Sequence, residues 1–175
     1  MGTICEYPCR LDLWAEVVKA KNIHREDVLL NLVSAVINYG NVISVEEARV
    51  QVTSVVTNII ASSKVHVALT YNLILTILYE VAGVPTYQLV TLGPHTYTKD
   101  VTVSEFDPPL TSQQLRDEVE NVRVTVKNWV VIPEILSTGE TYTNSSITAY
   151  ADIITKLTKH HDVIVYGEYD PEVDP

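Results

Sequence analysis

Glycine, cysteine, methionine and phenylalanine are all scarce in this chain of 175 residues, with 6 Gly, 2 Cys, 1 Met and 1 Phe. Each shortage excludes something. Few glycines leave little material for phosphate-cradling loops, and neither a P-loop nor a G-x-G-x-x-G fingerprint occurs. Two cysteines, Cys5 and Cys9, cannot form a disulfide scaffold or supply four thiolates to a zinc or iron–sulfur site. Basic residues are also few, 12 Lys and Arg against 22 Asp and Glu. A net charge of −10 argues against direct nucleic-acid binding, which draws its affinity from clustered cations. G-x-S-x-G and H-E-x-x-H are absent too. The opening MGTICEYPCRLD lacks the basic-then-apolar order of a signal peptide. An intracellular or virion setting is therefore expected.

What is abundant is β-branched. There are 27 Val, 18 Thr and 14 Ile, with 10 Tyr, residues that favour pleated, half-buried surfaces. Periodicity nevertheless points to helices in the first half. Leu11, Trp14, Val17 and Val18 fall on one side of a helix over 9–21. Val28, Leu29, Leu32 and Val36 do so over 25–39, ahead of Gly40 as a C′ residue. Ser44 and Glu47 read as a capping box that opens a third helix, with Val45, Ala48, Val52, Val55 and Ile59 at helical spacing. The rival reading is a strand, since Val50, Val52 and the Thr residues are β-formers, and the cap and the long period favour the helix. The run 65–82 is almost wholly apolar and long enough to raise a membrane span. Its polar residues His66, Thr70, Asn72, Thr76 and Glu80 fit one helical stripe. That pattern favours a buried bundle helix over a span.

After Gly83 and Pro85 the period changes. Tyr87–Leu92 and Tyr97–Val103 flank Gly93-Pro94-His95 and read as a hairpin. Thr111 and Gln114 form a second capping box, opening a helix to about 121. Val122, Val124 and Val126 alternate with Arg123, Thr125 and Lys127, which is strand period, continuing to Ile132. A helix over 146–160 and a last strand over 162–166 follow. The expected fold is α+β: an antiparallel four-helix bundle at 8–83, a smaller mixed part with a short sheet at 84–166, and an acidic tail at 167–175. The parts could equally form one packed domain.

Chemistry-bearing clusters are few. His160, His161 and Asp162, with Glu168, Asp170, Glu172 and Asp174 after them, are the one dense set of metal-capable side chains. Set against a metal site is the plainer reading, histidines at a helix C-terminus before a solvated tail. Tyr87, Tyr97, Tyr142, Tyr150, Tyr166 and Tyr169 all lie after residue 83, outside the expected helical part. Tyrosine joins a large contact area to a polar tip, so these six are candidate interface residues.

No cofactor is expected. With no catalytic signature, the reading is a non-enzymatic structural or assembly protein. It would be a virion or filament subunit whose partner is itself. The alternatives are a protein-binding adaptor that uses the bundle groove, and a small metal-dependent enzyme built on His160 and His161.

Overall fold

Two strands set the architecture. In a computed structural model, which describes residues 9–167 and side chains over 13–162, β3 (Lys64–Val81) and β6 (Thr143–Gly167) each form the middle of a three-stranded antiparallel sheet. Along β3, Val65, Val67, Leu69, Tyr71, Leu73, Leu75 and Ile77 are buried. Along β6 the alternating buried set is Thr143, Ser145, Ile147, Ala149, Ala151, Ile153, Thr155 and Leu157, while Ile74 on β3 and Thr158 on β6 are buried outside the alternation. Both sets have period two, the alternation of a strand with one face in a core. Buried residues of both sheets join one hydrophobic cluster. Burying each Leu or Ile there is worth about 1.5–3 kcal/mol.

Edge strands flank these two. β1 (Cys9–Ile37) and β5 (Asn121–Thr138) flank β6, and β2 (Val42–Ile60) and β4 (Val84–Thr102) flank β3. β2 packs against β5, and β1 approaches β4. Every register shift places its extra residue in an edge strand, four in β1, three in β2, two in β5 and one in β4. The central strands run without a bulge. Bulges bend and twist a strand and blunt its edge, so they suit the long outer strands of a sandwich.

The links are short. Ala82 and Gly83, both with positive φ, turn β3 into β4. Gly40, between β1 and β2, lies against the link from β5 to β6. A Cβ there would stand 2.0 Å from the Glu140 carbonyl oxygen, so only glycine fits. Among the described residues one α-helix, α1 (Ser112–Glu118), closes one end with Leu115 fully buried, and Phe106 is buried in the segment before it.

The helical reading of residues 8–83 is therefore wrong. There is no N-terminal four-helix bundle, and the protein is mainly β-sheet rather than α+β. The bulges explain the error. Register places Val45, Ala48, Val50, Val52, Val55, Thr57 and Ile59 opposite inward residues of β3. Their spacing widens from two to three at each bulge and so imitates a helix. The Ser44 hydroxyl bonds to Glu46 and caps nothing. The helix over 146–160 is likewise part of β6, and Gly93-Pro94 interrupts the pairing within β4 without reversing the chain. The Thr111–Gln114 capping box is formed as expected, with the Gln114 amide donating to Thr111 Oγ1 at 3.2 Å. The strand over 122–132 lies within β5. Among the described residues, no helix is long and apolar enough to cross a membrane.

Inward and outward positions should differ sharply on truncation. Ile147→Ala, at a fully buried site, is expected to cost about 2–5 kcal/mol. Ile132→Ala, 54% exposed on the opposite face, should stay within about 0.5 kcal/mol of the parent. Urea denaturation of the two variants checks both values.

Candidate interaction sites

Three features of the β1–β6–β5 sheet and its surroundings carry unusual chemistry: a pinned hollow on its outer face, a polar cluster between the sheets, and a projecting ribbon. The hollow is built by bulges. β1 carries an extra residue between His24 and Asp27, and β5 carries one between Lys127 and Val130. Glu26 and Asn128, one in each bulge, adopt positive φ of 50° and 52°. Asp152, between them on β6, holds both. Its Oδ1 accepts from the Glu26 amide at 2.9 Å and its Oδ2 from Asn128 Nδ2 at 2.7 Å. The Asn128 bond above all, together with the Glu26 amide, keeps the Asp152 carboxyl below its ordinary value against an opposing effect of burial.

Bending both edges at one level leaves a hollow of about 410 Å³ lined by Glu26, Val130, Ile132 and Tyr150. A second, overlapping one reaches Arg25, Asn128 and Asp152. Val130 and Ile132 are 51% and 54% exposed, an apolar floor facing solvent.

Between the sheets, the Asp27 carboxylate accepts from Tyr97 Oη at 2.6 Å and pairs with Lys99. Burial pushes the Asp27 carboxyl up, but Lys99 and Tyr97 together outweigh it and the net shift is downward. Burial, with Asp27 beside it, pushes the Tyr97 phenol up. Tyr71 donates to the Leu29 carbonyl at 2.7 Å, and its phenol is pushed up to about 12 by burial. His24 and His95 lie in the same region, and the Nε2 atom of each is buried without a hydrogen-bond partner. Burial lowers the pKa of both, with Lys99 adding to the effect at His24. The cluster ties β1 to β4, the less closely packed side of the sandwich.

The ribbon comes from a difference in strand length. β5 begins opposite Thr158, yet β1 and β6 pair on to Cys9↔Gly167. Ten successive pairs, from Cys9↔Gly167 to Val18↔Thr158, run without a bulge. Trp14 on this arm is 69% exposed and stacks on His160, with ring centroids 5.8 Å apart. Glu120 holds the base of the arm, accepting from the His160 amide and approaching its Nδ1, each at 3.1 Å. Glu16 does the same from β1 through Arg123 at 2.6 Å and Thr158 Oγ1 at 2.6 Å.

The sequence candidates are dispersed. Strand alternation sends His160 and His161 to opposite faces of the arm. His161 Nε2 is buried without a partner, and Asp162 is exposed on the His160 side. Among the described residues no three His, Cys, Asp or Glu side chains gather as a metal site. The tail carboxylates of Glu168, Asp170, Glu172 and Asp174 lie outside the described residues, as do Cys5 and Tyr169. Tyr87 and Tyr142 are exposed by 65% and 51%. Tyr150 floors the hollow, Tyr97 points inward to Asp27, and Tyr166 pairs with Arg10 in the arm. Sequence reasoning missed Asp152, Trp14 and the Asp27–Lys99 pair as functional candidates. Their partners lie far away in sequence, 126 residues for Asp152 and Glu26 and 72 for Lys99 and Asp27. Comparison with protein-family models, curated proteins and solved structures returns no match.

The two histidines give a pH dependence with a definite sign. Their folded pKa values lie below the ordinary 6.5, so the unfolded chain binds protons that the buried rings refuse. Their contribution is complete above 6.5 and is lost as pH falls through the folded values. Asp27, held below its ordinary 3.8, adds a second loss further down. Urea midpoints should thus drop between about pH 7.5 and about pH 5, and His95→Gln should flatten that step.

Proposed function

We propose that this chain is a non-enzymatic structural subunit that self-associates, as in a virion or a filament. The arm supports this reading most. A two-stranded ribbon is marginal alone in water, and a regular strand edge without bulges is a template for pairing with another chain. Here such a ribbon projects past β5 and carries an exposed tryptophan. Tryptophan is enriched in the buried centres of interfaces. The outer face adds exposed Val28, at the level of Tyr150, and exposed Val36, further along at the level of Asn144.

The adaptor reading depended on a groove between bundle helices, and the bundle is absent. The metal-enzyme reading gains no support from a histidine pair split across two faces of a strand.

Self-association must overcome a net charge of −10 per copy. Screening therefore favours it, and the mass should rise with salt between about 0.01 and about 0.15 M. Light scattering over a dilution series at several salt concentrations is the test. Species larger than one chain that grow with concentration are expected. A monomer at every concentration and salt would overturn the proposal.

A further inference from the structure

The arm and the hollow sit on one face of one sheet, at opposite ends. β6 has no bulge, so its even-numbered residues share a face from Tyr150 to Asp162. Trp14 pairs with Asp162, twelve residues from Tyr150, which is about 40 Å along the strand at about 3.3 Å per residue. A copy's own Trp14 therefore cannot reach its own hollow.

We infer that Trp14 of one copy seats in the Tyr150 hollow of the next, so that copies join head to tail through the arm. This deepens the self-association reading and rests on it. The exposed aromatic ring and the exposed apolar floor of Val130 and Ile132 are complementary parts of one chain. One tryptophan contributes only about 150–250 Å², well short of the roughly 1,000 Å² of a stable interface. The ribbon behind it must therefore lie along the neighbour's face.

A closed twofold pair could also place each Trp14 over the other's hollow, but its centre would be cationic. Lys156 is midway between the levels of Tyr150 and Asp162, with Lys21 and Arg123 as its register partners on either side. A twofold axis there would set these residues against their own copies. Like charges brought face to face are costly, although Glu16 offsets part of the Arg123 charge. A staggered head-to-tail contact does not set these residues against their own copies, although it brings Asp162 toward the Glu26 of the hollow, and such heterologous contacts generate rings or open filaments.

The test uses Trp14→Ala and Val130→Glu in the full chain. Both positions are exposed, and matched thermal melts would show that each variant folds. Ile132→Arg serves as a second hollow variant should Val130→Glu fail to fold. Each variant alone should be monomeric under conditions where the parent assembles beyond a dimer. An equimolar mixture of an arm variant and a hollow variant should give a discrete dimer, since one intact arm meets one intact hollow. Parental assembly by the hollow variants, or a mixture that stays monomeric, would overturn the arm-in-hollow contact and leave self-association standing. A parent that stops at a closed dimer would overturn the head-to-tail arrangement. A monomeric parent would overturn both proposals.

Discussion

The alternating burial of β3 and β6 is the constraint on which everything else in this protein depends. Each central strand places every second residue in a shared core and tolerates no slip, because a shift of one residue would turn the whole apolar set to the other face. The flanking strands must follow those central registers while bending around the core. They do so by carrying every extra residue themselves. Regular centres and bulged edges are two results of one packing requirement.

Surface chemistry follows from the same division. Two bulges meet at one level of β6, where Asp152 satisfies both, and the sheet gains a hollow in place of a smooth outer face. Beyond β5 the constraint lapses. β1 and β6 continue as a ribbon held at its base by Glu16 and Glu120, with no strand beside β6 among the described residues and none of the bulges that blunt the other edges. An arm of this kind gains little stability alone and much from a neighbour. The unequal strand lengths are thus what supports the self-association proposed above.

Local physics was legible in the sequence wherever it acted locally. Thr111 and Gln114 form their capping box, and Val122, Val124 and Val126 alternate as a strand should. The run 65–82 misled because its evidence fits two periods. His66, Thr70, Asn72, Thr76 and Glu80 fill a helical stripe, yet all are even-numbered and share one face of β3. The abundance of Val, Ile and Thr favoured the strand. In β1 and β2 the bulges stretched the inward spacing to three and erased the strand signal. Gly40 was read as a helix C′ residue, but the Glu140 carbonyl, on a link a hundred residues away, is what requires it. The hollow and the polar cluster were not legible at all, since each is made by pairs that only the register brings together.

Amide hydrogen exchange, followed peptide by peptide at low and high protein concentration, tests most directly whether the arm depends on a neighbour. Amides of β3 and of residues 143–157 in β6 should be protected at both concentrations. Those of the arm, residues 9–17 and 159–167, should exchange fast in the dilute monomer and become protected as copies associate. An arm as well protected as the core at high dilution, or one whose exchange ignores concentration, would contradict that dependence.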